Sequence, residues 1–107
     1  MTMYGFKEID IATLENMQEQ GAIALYDVRT DAEVARGAIA GAEHLPLHML
    51  PIRADGMRRD IPTVFYCQSG GRSGQACAFM ASRGYTNMHN LQGGILAWVR
   101  SGRALAA

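Results

Sequence analysis

Two short apolar runs, Ala22-Ile-Ala-Leu-Tyr26 and Thr63-Val-Phe-Tyr-Cys67, constrain the fold most. Each is nearly continuous in apolar residues, the pattern of a strand covered on both faces. Strand-like and helix-like pieces alternate around them. A strand near Phe6 to Ile9 meets Asp10, a helix N-cap, and Ile11 to Met17 then spaces apolar residues for a helix that Gly21 stops. Thr30 opens a short helix as T-D-A-E, a capping box with Glu33, and Gly37 closes it. A brief strand falls within Ala38 to His44, a turn of helix runs from Pro46 through Leu50, and Ile52 to Asp60 reads as a polar surface excursion. Gly74 to Arg83 is expected as a helix with Ala76, Cys77, Met80 and Ala81 inward. Thr86 to His89 is a last strand, and Gly94 to Ser101 a closing helix with Ile95, Trp98 and Val99 inward. Such alternation predicts one α/β domain over residues 1–107: a mainly parallel sheet of about five strands between two helical layers. In such sheets ligands collect beyond the carboxyl ends of the strands, and Cys67 sits at one.

After Cys67 the chain reads Gln68-Ser69-Gly70-Gly71-Arg72-Ser73. Small and polar residues let the backbone curl and turn its N–H groups inward, and the following helix start adds unpaired N–H groups and a positive dipole end. A sulfur inside that arc is stabilised as thiolate, and the arc suits a small oxyanion. Two roles stay open for Arg72: holding an anion, or pairing with Asp27 or Glu33 to keep the loop curled. Cys77, on the apolar stripe of a helix, reads as an inert buried thiol.

Composition removes several classes. Ten basic residues balance ten acidic ones, and the tightest basic cluster is Arg58-Arg59, which argues against an extended nucleic-acid surface. No window has the apolar length of a membrane span or a signal peptide, so no membrane partner is expected and the cytoplasm is the expected compartment. Two cysteines make no disulfide framework. His44 and His48 lie four positions apart and His89 far from both, with no acid or cysteine at ligand spacing, and the seven methionines form no dense motif, so no metal is expected. Neither a P-loop nor GxGxxG occurs, so no nucleotide cofactor is expected. Trp98 and Tyr85 read as packing anchors.

The run from Cys67 to Ser73 resembles the active-site loop of the rhodanese-like sulfurtransferases: a cysteine, four residues, an arginine and a serine or threonine. Tyr26-Asp27-Val28-Arg29 with Glu33 and Gly37-Ala-Ile-Ala-Gly-Ala42 resembles the family's first signature, and Leu91-Gln-Gly-Gly-Ile-Leu-Ala-Trp98 its closing one. The chain departs from the common Gly-His-Ile-Pro-Gly at residues 37–41, where it lacks the histidine and the proline.

The resemblance implies a three-layer α/β/α rhodanese-like domain and a stand-alone thiosulfate sulfurtransferase. In that reading Cys67 is the nucleophile that takes sulfur from thiosulfate or another sulfane-sulfur donor. The sulfur then passes to cyanide or a thiol, including that of a thioredoxin-like protein. Gln68, Ser69, Gly70, Gly71, Arg72 and Ser73 bind substrate, while Asp27, Arg29 and Glu33 support the loop. Arg29 is open to a second part in attracting anions. The rival readings are a persulfide carrier between proteins and, from a related fold, a phosphatase or arsenate reductase. The phosphatases place five residues between cysteine and arginine, and here there are four.

Overall fold

The two apolar runs lie side by side in the sheet. The structure, a computed structural model, describes residues 5–106. Strand β1 is Lys7–Ile9, β2 Ala24–Asp27, β3 Glu43–His44, β4 Thr63–Tyr66 and β5 Met88–Leu91. They form one sheet in the order β1-β5-β4-β2-β3, and every pairing is parallel. Tyr26 stands opposite Phe65 and Asp27 opposite Tyr66, so β2 and β4 end level with each other.

All four residues of β4 are buried, because it has a strand on each edge and helices on each face. Its period of two divides the core. Val64 and Tyr66 join Leu14, Leu25, Ile95 and Trp98 on one face, under α1 (Ile11–Gln20) and the closing helix Gly94–Arg100. Phe65 and Cys67 join Ala76, Cys77, Met80 and Tyr85 on the other. Those pack under the helix Gly71–Ser82 and a short segment that begins at Leu50. Each large buried side chain contributes about 1.5–3 kcal/mol from its area. The short helices are α2 (Asp31–Val34) and α3 (Leu50–Arg53); Gly71–Ser82 is α4 and Gly94–Arg100 is α5. Among the described residues no helix is long and apolar enough to cross a membrane.

Local signals hold well. Asp10 Oδ1 accepts from Thr13 N at 2.8 Å, and both bonds of the Thr30–Glu33 capping box are present. Four expectations need correction. Helix α4 begins at Gly71, not Gly74, since Gly74 N already donates to Gly70 O at 3.0 Å. Its first turn carries polar residues that face the loop, so the apolar spacing does not register it. Strand β5 runs two residues later than expected, because its partners β1 and β4 set its limits. The Ile52 to Asp60 segment is not merely superficial: Ala54 and Met57 are buried, and the Tyr85 hydroxyl stands 2.5 Å from the Ala54 carbonyl oxygen and 3.2 Å from that of Met57. Val99 is 48% exposed, because seven residues of α5 lay only Gly94, Ile95 and Trp98 against the sheet.

Residues 37–41, which lack the common histidine and proline, are held by other means. Ile39 N donates to the Tyr66 hydroxyl at 3.0 Å, and Arg29 Nη2 donates to Gly37 O at 2.8 Å.

Candidate active site

Cys67 follows β4 directly, at the carboxyl end of the sheet, and is 1% exposed. The chain then turns through Gly70 at φ 115, a left-handed conformation that favours glycine, and enters α4. That turn folds the loop back over the sulfur. Gly70 N donates to Sγ at 3.1 Å, Ser73 N at 3.4 Å, and Ser73 Oγ stands 3.3 Å away. The Ser69 amide also faces the sulfur. Gln68, Ser69 and Gly71 are exposed on the outside of the curve.

Burial alone would push the Cys67 thiol up. The Ser73 hydroxyl, then the amides of Ser73, Gly70 and Ser69, outweigh it and hold the thiol below its ordinary value. Cys77 has no such ring. Wholly buried on α4, it is pushed far up by desolvation, with the charge of Glu8 adding to the effect. Both cysteines are free thiols. Two sulfurs ten residues apart in sequence are thus shifted in opposite directions.

Of the two roles open to Arg72, the structure displays the pairing one, with Glu33. Nη1 donates to Oε1 at 2.6 Å and Nη2 to Oε2 at 2.8 Å, a bidentate fork. Asp27 is unavailable to it, being taken by Arg29: Nε and Nη2 of Arg29 reach the Asp27 carboxylate at 2.7–3.1 Å, with both residues buried. Arg29 also donates to the carbonyls of Gly37 and Glu33, and its own carbonyl accepts from His44 Nε2 at 2.7 Å. Arg29 therefore ties the end of β2 to the segments around it, and its guanidinium is fully engaged. Arg72 remains 36% exposed and senses the charge of Cys67. It lines a cavity of about 590 Å³ with Val28, Ala32, Pro46, Leu47 and His48.

The Arg72 guanidinium holds the Glu33 carboxyl at about 2, against an ordinary 4.5, with the Thr30 amide and hydroxyl assisting. A folded-state value below the unfolded one stabilises the native state above pH 4.5, and that gain disappears as the pH falls through about 2. Urea midpoints of wild type and Glu33→Gln should therefore differ most at neutral pH and converge toward pH 2. A difference that stays constant across that range would exclude the linkage.

The back of the loop is held by α5. Ile95 N donates to Cys67 O at 3.0 Å and Leu96 N to Gln68 O at 3.1 Å, so the helix's first free N–H groups grip the loop backbone. Gly94, at φ 59, makes this approach possible: a Cβ there would stand 2.5 Å from Cys67 O and 2.6 Å from Gln68 O. The Gly93-Gly94 pair reads from sequence as a strand-to-helix turn, which it is, but its contact with the loop is invisible there. Two further neighbours, Asn90 and Glu8, also escape sequence reasoning. The one available signal was an asparagine inside an otherwise buried strand.

Comparison with known proteins agrees with this arrangement. Residues 10–101 match the rhodanese-like domain family. A protein of Allochromatium vinosum named sulfurtransferase is 44% identical over 101 residues, covering 94% of each chain. The thiosulfate sulfurtransferase GlpE of Pseudomonas fluorescens is 35% identical, covering 90% of this chain and 87% of its own. Among solved structures, a rhodanese-related protein of Thermoplasma volcanium superposes with a TM-score of 0.84 at 28% identity, over 94% of this chain and 97% of that one. With nearly its whole described length accounted for in this way, the chain belongs to the rhodanese-like domain family.

Proposed function

We infer that the protein is a thiosulfate sulfurtransferase that carries sulfane sulfur as a persulfide on Cys67. The observation that carries this reading is the ring of donors at 3.1–3.4 Å around an otherwise buried sulfur, which favours its anion. The relatives named sulfurtransferase and thiosulfate sulfurtransferase support it. Residues 1–107 then form one rhodanese-like domain, working in a reducing compartment such as the cytoplasm.

The Cys67 thiolate attacks the outer sulfur of thiosulfate. A new S–S bond forms, the S–S bond of thiosulfate breaks, and sulfite leaves with the bonding pair. The negative charge now sits on the outer persulfide sulfur, within reach of the loop amides. Cyanide or a thiolate then attacks that sulfur and Cys67 departs as thiolate, which completes a ping-pong cycle. The attacking group is ionised at the start, so no histidine base is required. Gln68 through Ser73 surround the donor's sulfonate, with amides suited to its oxygens. Asp27, Arg29 and Glu33 hold the strand ends and the loop.

A second reading, relay of sulfur between proteins, draws on the cavity beside Arg72. Its apolar wall of Val28, Ala32, Pro46 and Leu47 is far larger than cyanide needs and suits a thiol carried on a bulky acceptor. Phosphate or arsenate chemistry fits less well: four residues separate Cys67 from Arg72, and both terminal nitrogens of Arg72 face Glu33.

Brief treatment with thiosulfate should add one sulfur atom to the intact mass and release one equivalent of sulfite. Cyanide should then remove that sulfur as thiocyanate. Unchanged mass together with no sulfite would refute the reading. Faster hand-off to a protein dithiol than to cyanide would favour the relay.

A further inference from the structure

Asn90 lies in β5, buried, and none of the chemistry above uses it. Its neighbours settle which way its amide points. Nδ2 lies 3.1 Å from both carboxylate oxygens of Glu8 on β1 and 3.1 Å from Gly70 O. A carboxylate and a carbonyl only accept, so the two N–H groups point at them and Oδ1 faces the other way. There Oδ1 stands 2.5 Å from Ser73 Oγ. An amide oxygen also only accepts, so Ser73 is the donor in that bond. Yet Ser73 Oγ is the same atom that stands 3.3 Å from Cys67 Sγ. The hydroxyl carries one hydrogen and has two claimants.

We propose that the Ser73 hydroxyl is a two-position donor, its hydrogen resting on Asn90 Oδ1 while Cys67 is neutral and turning to Sγ when the sulfur ionises. Asn90 is thus a positioning residue that acts on the sulfur through Ser73. Ionisation exchanges a short neutral bond for a charge-assisted one. Part of what the sulfur gains is therefore given up at Asn90, and the asparagine restrains the thiol's acidity. If Cys67 is the sulfur carrier inferred above, the hydrogen also moves during turnover. In the persulfide the charge lies on the outer sulfur, Sγ is no longer anionic, and the hydroxyl returns to Asn90. The asparagine then favours the sulfur-loaded form over the free thiolate.

The charges around the sulfur are Arg72 on α4 with its partner Glu33 on α2, Asp27 paired with Arg29 at the end of β2, and Glu8 on β1 beyond Asn90. Substituting Asn90 by an uncharged residue changes none of them. Asn90→Leu removes Oδ1 at similar size and leaves no buried partner orphaned. Gly70 O keeps its bond from Gly74 N, Glu8 is exposed to water, and the Ser73 hydroxyl keeps Sγ.

The test is the pH dependence of iodoacetamide alkylation at Cys67, read by peptide mass. It is measured in wild type, Asn90→Leu, Ser73→Ala and the double variant. Asn90→Leu should move the midpoint down by about half a unit or more, the scale of one hydrogen bond. Ser73→Ala should move it up, and adding Asn90→Leu to Ser73→Ala should move it no further. An upward or absent shift in Asn90→Leu overturns the proposal, as does a downward shift that persists without Ser73. A merely structural asparagine would loosen the ring and raise the midpoint. Should the leucine overpack, Asn90→Ala carries the same expected sign in the same cycle. The titration uses no sulfur donor, so failure of sulfur uptake and failure of this exchange are read separately.

Discussion

Cys67→Ser should abolish sulfur uptake from thiosulfate, and Cys77→Ser should keep it. The contrast follows from what surrounds each sulfur. Around Cys67 are amide and hydroxyl donors that hold its pKa down against the effect of burial; Cys77 is packed with Ala76, Met80 and the sheet, and burial there pushes its pKa up. A serine at position 67 keeps the donors but presents a hydroxyl, which stays protonated and is a weak nucleophile. Its rate should fall by at least about four orders of magnitude, as for loss of a covalent nucleophile elsewhere. Cys77→Ser places a hydroxyl in an apolar contact and should cost about 1–2 kcal/mol of stability while the added sulfur remains visible in the intact mass. Uptake retained in the Cys67 variant and lost in the Cys77 variant would reverse the assignment.

Gly94→Ala should be the most damaging single methyl in the molecule. The new Cβ would fall within 2.7 Å of three backbone atoms of Cys67 and Gln68, and backbone cannot swing aside as a side chain can. The residue must also hold φ at 59, which costs a non-glycine residue about 1–2 kcal/mol. With overpacking of about 1–3 kcal/mol added, the expected loss is about 3 kcal/mol, read as a lowered urea midpoint. What survives should load sulfur slowly, because relief of the clash pushes the loop off the sulfur. Gly41→Ala supplies the comparison. Its φ is 87 with nothing within 4 Å, so it carries the torsional cost alone. Equal losses at the two positions would mean that α5 yields to the methyl and does not brace the loop.

What sequence could reveal follows the range of the forces involved. Strand β4 and the Thr30–Glu33 box depend on residues within four positions of one another, and both were legible. The glycine-rich curve after Cys67 was legible for the same reason. Arg72 was half legible: its two candidate acids were visible, but the choice between them rested on where the fold carries Arg72, which meets Glu33 from 39 residues away while Asp27 is held by its near neighbour Arg29. The burial of Ala54 and Met57 depended on the Tyr85 hydroxyl reaching them from about thirty residues away. Asn90 was hidden for a related reason. A polar residue in a strand announces no partners, and its three come from β1, the loop and α4.

The bonds from Ile95 and Leu96 to the carbonyls of Cys67 and Gln68 have a mechanical consequence. A loop bolted to a helix from behind does not swing open as a hatch would, so visitors do the reaching. An acceptor thiol on a slender, mobile arm can thread to the sulfur, whereas one set in a broad flat face is kept at arm's length. Selectivity in sulfur hand-off would then come from the shape of the guest more than from any rearrangement of the host.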